Sequence, residues 1–179
     1  MSKVLIISTS LRKNSNSEYL AKECERGAKD AGNEVEFMSL KDKKIGYCIG
    51  CLSCQQTGCC VLNDDAAEFV EKAKNADTIV FATPIYYYEM CGQMKTLLDR
   101  LNPLYNTDYK FRKIYMLATA ADDGDFVFEK AYSGLEGWVD CFEKAQLCGL
   151  VAGGGINNPS EAKNHTDVKL RTYELGKSL

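Results

Sequence analysis

The sharpest chemical feature of the sequence is a crowd of thiols. Nine cysteines are present, and Cys48, Cys51, Cys54, Cys59 and Cys60 fall within thirteen residues. In a reducing cytosol such a group reads as metal-binding or redox-active before it reads as a disulfide framework. The run Cys48-x2-Cys51-x2-Cys54-x5-Cys60 offers four thiolates at the close spacing that suits an iron–sulfur cubane. Gly46, Gly50 and Gly58 let the backbone turn tightly among them. Zinc also takes four thiolates, more often as two separated pairs. Spacing alone leaves cluster, zinc and free thiols open. The other four, Cys24, Cys91, Cys141 and Cys148, lie in apolar periodic segments and read as small buried hydrophobes.

A second group of chemistry-bearing residues is Ser8-Thr-Ser-Leu-Arg-Lys-Asn-Ser-Asn-Ser17. It joins a strand-like run to a helix-like one. The N-terminus of a helix offers unpaired N–H groups and the positive end of a dipole, which suit a phosphate. Hydroxyls of Ser10, Ser15 and Ser17, amides of Asn14 and Asn16 and the permanent charge of Arg12 would add to that pull. The plainer reading is that Ser15 or Ser17 caps the helix. A third group is Thr83-Pro-Ile-Tyr-Tyr-Tyr-Glu-Met-Cys91. Its tyrosines are flat surfaces with polar tips, fit to wall a planar ligand or to fill a core. Three adjacent tyrosines in an extended chain cannot all face one core, so at least one points elsewhere.

The elements that must hold these groups follow from hydrophobic periodicity. Short apolar runs at Val4–Ser8, Val35–Ser39, Thr78–Ala82, Ile114–Ala118 and Gln146–Ala152 have strand length. Between them Glu18–Asp30, Asp65–Asn75, Met90–Leu101 and Phe126–Ala145 are apolar at helical spacing, as is about Ser160–Ser178. This alternation predicts an α/β fold, a parallel sheet with helices on both faces. The loops after strands one, three and four then share the carboxyl edge of the sheet, where ligands bind. On that edge Thr119, Ala120 and Ala121 face the same region. Asp122, Asp123 and Asp125 follow, and Asp125 reads as a helix cap rather than a metal ligand. The insertion Lys41–Asn63 is far longer than an ordinary connection of about 2–6 residues, which marks it as functional.

The chain has 179 residues and a net charge of −3. No basic patch stands out, so no nucleic-acid partner is expected. The first apolar run is too short for a leader or a membrane span, and a soluble, cytoplasmic protein without a membrane partner is expected. No G-x-G-x-x-G motif is present, and Gly153-Gly-Gly155 lacks its spacing. A phosphoacceptor receiver would need acidic residues ending strands one and three, where Ser8-Thr9 and Thr83-Pro84 stand.

Ser8–Ser17 resembles the phosphate loop of the NADPH-dependent FMN reductase family, usually Gly-Ser-x-Arg-x-x-[Ser/Gly]-Asn-[Thr/Ser]. The departure is Thr9, where glycine is common. Thr83–Lys95 with Asp99-Arg100 is similar to that family's flavin loop. The resemblance implies a flavodoxin-like three-layer sandwich, five parallel strands in order 2-1-3-4-5; the length and the lack of a splitting linker make it one domain over 1–179 with a cysteine-rich loop at 41–63. It implies FMN held by Ser10, Arg12, Ser15, Asn16 and Ser17, by Thr83, Pro84, Ile85, Tyr86 and Tyr87, and, by topology, by Thr119, Ala120 and Ala121. It also implies NAD(P)H as electron donor, a small-molecule or protein electron acceptor, and a homodimer or higher homo-oligomer. No catalytic side chain is assigned, because the cofactor carries the chemistry. Asp99 and Arg100 read as structural or interface ion-pair residues, and His165 as solvated. The cysteine spacing resembles the iron–sulfur flavoproteins of the same superfamily. By that likeness Cys48, Cys51, Cys54 and Cys60 would ligate a [4Fe–4S] cluster passing electrons to or from FMN. A non-enzymatic flavin redox sensor is the alternative outside catalysis.

Overall fold

Strand β1 (Lys3–Ser8) sends alternate side chains to opposite faces of the sheet, as the pleat requires. Val4 and Ile6 enter one core, Leu5 and Ile7 the other, and all four are buried. The computed structural model describes residues 1–179. β1 lies between β2 (Glu34–Ser39) and β3 (Thr78–Tyr86), both parallel to it. β5 (Lys113–Thr119) and β6 (Gln146–Gly153) extend the sheet, giving the order β2-β1-β3-β5-β6. β4 (Glu89–Met90) stands apart and pairs antiparallel with the end of β3. With β4 set aside, the expected order 2-1-3-4-5 is the observed one, and the fold is flavodoxin-like.

The larger core packs α3 (Ala66–Asn75), α4 (Gly92–Arg100) and α5 (Phe126–Val139) on the Leu5/Ile7 face. The smaller packs α1 (Asn16–Asp30) and α6 (Thr166–Lys177) on the Val4/Ile6 face. Each fully buried leucine or isoleucine there contributes about 1.5–3 kcal/mol. No helix is long and apolar enough to cross a membrane.

Four expectations are corrected. The helix expected over Phe126–Ala145 ends at Val139, and a turn carries Phe142 into an aromatic cluster with Tyr109, Phe111 and Trp138. Phe142 keeps helical spacing from Trp138, but reaches the core from outside the helix. The last helical stretch breaks at His165, into a 3-10 turn (Glu161–Asn164) and α6. Cys24 and Cys91 are buried, but Cys141 and Cys148 are exposed, on the turn after α5 and on the edge strand β6. Asp125 occupies the N-cap position of α5 without a side-chain cap bond, because its backbone is already helical (φ −63°, ψ −36°).

Strand β3 also runs four residues beyond its expected end. Tyr86 pairs with Glu89, and the two-residue turn between them has positive φ at both Tyr87 (51°) and Tyr88 (64°). That is the sign pattern of a type I′ hairpin, normally built from Asn-Gly.

Candidate functional site

The loop after β1 is held from below. Ser15 is the N-cap of α1, and its Oγ accepts the Glu18 N–H at 3.3 Å. The same Oγ lies 3.1 Å from Ser17 Oγ, so both hydroxyls share the helix mouth. The first N–H groups of α1 have no intrahelical acceptor. Thr9, the departure from the usual glycine, is fully buried. Its Oγ1 donates to Ala82 O at 2.9 Å and lies 3.3 Å from Cys91 Sγ. Cys91 in turn receives the Thr83 hydroxyl at 3.4 Å and donates its N–H to Thr83 Oγ1 at 3.2 Å. Thr9, Cys91 and Thr83 thus join the two loops beneath the sheet edge. Ser8 Oγ, at the end of β1, is buried with no hydrogen-bond partner.

Above this base the three loops meet. A cavity of about 150 Å³ is lined by Ser10, Arg12, Ser15 and Asn16 from the first, and Pro84, Ile85 and Tyr86 from the second. Thr119 and Ala121 come from the third. A drug-sized ligand needs about 300–1,000 Å³, so the cavity fits one end of such a ligand, the rest lying in the open. Ser17, Thr83, Tyr87 and Ala120 are not part of its lining: Ser17 and Thr83 are buried, Tyr87 turns to the surface, and Ala120 bonds Gly153 O and the Ile156 N–H. Tyr87 stands 99% exposed and Tyr86 50%, so the tyrosines do not form a core cluster.

Two lining residues were not anticipated: Ile156 and Asn157, from the segment after β6. Arg12 Nη1 donates to Asn157 O at 2.7 Å. Asn16 donates to Asn158 O at 2.8 Å and accepts the Ala162 N–H at 3.1 Å, so its amide ties the C-terminal segment to the first loop. The signal for this segment was Gly153-Gly-Gly155, which carries the chain off the last strand on the same sheet edge.

The cysteine loop has its own architecture. A short helix, α2 (Ser53–Thr57), lies between Leu52 and Gly58, and Gly50 and Gly58 take left-handed φ. Cys48, Cys51 and Cys59 are exposed, Cys54 is buried and Cys60 is partly buried. The Ser53 N–H, then its hydroxyl, lower the Cys51 thiol below its ordinary value. Cys54 Sγ accepts from Asn102 Nδ2 at 3.2 Å, and Cys60 Sγ from Arg100 Nη2 at 3.5 Å. Five thiols suit a thiophilic group in number and spacing. As the loop is folded here, however, no three Cys, His, Asp or Glu side chains converge on a metal-binding group. The loop is a set of separate thiols in this arrangement. The same holds for Asp122, Asp123 and Asp125.

Arg100, read from the sequence as a structural or interface ion-pair residue, makes its ion pair within the chain. Its side chain has no exposed surface and forks onto Asp64, Nη1 to Oδ2 at 2.7 Å and Nη2 to Oδ1 at 2.9 Å. Burial would raise the Asp64 carboxyl. Arg100 and the N–H groups of Gly46 and Ala66 outweigh it and hold the carboxyl below its ordinary value. Asp99 instead pairs on the surface with Lys95 at 2.7 Å. His165 is half-buried beside α6.

Comparison with known proteins bears on the family and the fold. An iron–sulfur flavoprotein of Methanocaldococcus jannaschii is 40% identical over 102 residues, 57% of this chain and 53% of the relative. One from Methanosarcina thermophila is 34% identical over 98 residues, 55% of this chain and 51% of the relative. The chain spans about half the length of the curated relatives it matches. Among solved structures, an NAD(P)H:quinone oxidoreductase from Methanothermobacter marburgensis superposes with a TM-score of 0.78 at 18% identity. That superposition covers 99% of this chain and 95% of the other, and at such identity it speaks for the fold alone. The family model for NADPH-dependent FMN reductase matches residues 2–129, a span that holds β1 to β5 and the three loops around the cavity. With most of its length matched, and with both motif loops on the same sheet edge, the chain belongs to the NADPH-dependent FMN reductase family.

Proposed function

We propose that the chain is one FMN-binding oxidoreductase domain that takes hydride from NADPH or NADH and passes electrons to a small-molecule or protein acceptor. The observation that carries this reading is the convergence of three βα loops around one cavity at the carboxyl edge of the sheet. Ser10, Arg12 and Ser15, at the mouth of α1, are suited to the phosphate of FMN. Pro84, Ile85 and Tyr86 are suited to its ring, with Thr119 and Ala121 opposite. When bound, FMN would supply the hydride-accepting and hydride-donating chemistry. The chain's own residues bind, orient and shield. Arg12 and the α1 N-terminus balance the phosphate charge, and Tyr86 excludes water from one side of the cavity. A homodimer belongs to this reading, with a second copy contributing residues to the acceptor pocket. Titration of the apoprotein with FMN, followed by anaerobic addition of NADPH, tests the proposal. Stoichiometric binding and bleaching of the flavin absorbance support it; failure to bind FMN refutes it.

A second reading is favoured by the spacing of Cys48, Cys51, Cys54 and Cys60 and by the relatives named iron–sulfur flavoproteins. In it the loop holds a [4Fe–4S] cluster that exchanges electrons with FMN. It requires the four sulfurs to converge and Cys54 to leave Asn102. Iron and acid-labile sulfide assayed on anaerobically purified protein decide it. About four irons per chain, as a cubane requires, support this reading, and a flavin spectrum without iron or sulfide removes it.

A further inference from the structure

The most deeply buried charged side chain of any ion pair is that of Arg100, and its contacts fall at the two ends of the cysteine loop. Besides its fork onto Asp64, Nη1 donates to Gly46 O at 2.8 Å and Nη2 to Leu62 O at 3.4 Å. Gly46 precedes the first thiol of the loop, and Leu62 and Asp64 follow the last. One buried guanidinium therefore fastens both ends of the loop to α4. Its Nε is buried without a partner, so the whole ionic bonding of this side chain faces the loop. The planar fork of arginine can meet several acceptors at fixed angles, which the single point charge of lysine cannot. The sequence offers two adjacent thiols at this point, yet only one touches the cation. Cys60 is partly buried with its sulfur 3.5 Å from Nη2, whereas Cys59 is exposed.

We propose that Arg100 is a positioning residue for the cysteine loop, closing it through Asp64 and selecting Cys60 over Cys59 as the thiol held against the protein body. Any group the loop binds then meets Cys60 in a fixed place and Cys59 as a free outer thiol. The proposal rests on the contacts of Arg100 alone and stands or falls separately from FMN binding.

Residue-resolved alkylation of the reduced protein by iodoacetamide, read by mass spectrometry, tests it. At about pH 10, above the ordinary thiol value of about 8.5, modification follows access rather than ionisation, so native Cys60 is expected to react about ten-fold more slowly than Cys59. In Arg100→Met the two rates are expected to come within about two-fold of each other, while Cys141 and Cys148 keep theirs. Buried Cys24 reports the fold: a rise there would mean general unfolding. In that event Asp64→Asn, which keeps the guanidinium and the volume, replaces the first variant, and Cys60 must speed up there while Cys24 stays protected. Equal rates at Cys59 and Cys60 in the native protein overturn the proposal. So does a Cys60 to Cys59 ratio that loosening the clasp leaves unchanged in a folded variant.

Discussion

Arg12→Met is expected to weaken FMN binding while leaving riboflavin binding unchanged. The guanidinium lines the cavity but is exposed, and its Nη1 is already bonded to Asn157 O at 2.7 Å. The Asn157 bond already has a charged donor, so exchanging it for a phosphate oxygen gains only the attraction between opposite charges, about 1 kcal/mol in bulk water and more near a protein surface. Set at about 1–2 kcal/mol for an exposed side chain, that gain is about 5- to 30-fold in the dissociation constant. Methionine keeps most of the side-chain volume and removes the donors and the charge. Riboflavin has the same ring without the phosphate, so it reports any damage to the ring site. Quenching of flavin fluorescence on titration of apoprotein measures both affinities, and the FMN loss should shrink as salt screens the exposed charge. Equal losses for the two ligands, or none for either, would refute the assignment of Arg12 to the phosphate.

Other substitutions test the framework around the site. Asp64→Asn removes the charge opposite the buried Arg100, and because Asp64 keeps 17% exposure the cost is set below the full buried-pair range, at about 2–3 kcal/mol. Urea unfolding checks it, and a loss under about 1 kcal/mol, the size of a surface pair, would contradict the burial argument. The Asp64 carboxyl is held below its ordinary value in the fold. Its contribution is therefore complete above about pH 3.9, the unfolded value, and is lost as pH falls through the lower folded one. Acid titration of stability should show that loss in the native protein and not in Asp64→Asn. Tyr87→Asn places a residue tolerant of left-handed φ at a fully exposed position, for a gain of about 0.5–1 kcal/mol; a lower melting temperature would count against strain at that turn. Burial pushes the Cys24 thiol up to about 12. Native Cys24 should resist alkylation at pH 8 and label only on unfolding, and labelling as fast as Cys141 would contradict its burial.

The strand order followed from the family resemblance of the motifs, whereas the layers and the three loops of the candidate site were determined by the sequence itself. These follow from local patterns: short apolar runs alternating with helical periodicity, and crossover chirality that puts every βα loop on one edge. A serine cap was legible as Ser15 or Ser17, and the structure gives Ser15, whose partner lies three residues away. Tertiary structure decided what depends on residues far apart in the chain. Arg12 and Asn16 bind a segment about 145 residues on, which no local pattern announces. Arg100 reaches Gly46, Cys60, Leu62 and Asp64 across 36 to 54 positions, so its role as the fastening of the cysteine loop was invisible as well. The turn at Tyr87 and Tyr88 was hidden for the opposite reason: its residue types argue against left-handed backbone, and pairing of Ile85 with Met90 and Tyr86 with Glu89 imposes it. Exposure of Cys148 was settled by a bulge in edge strand β6, where Leu147 pairs with Ile114 and Gly149 with Tyr115 and Cys148 is the extra residue between them.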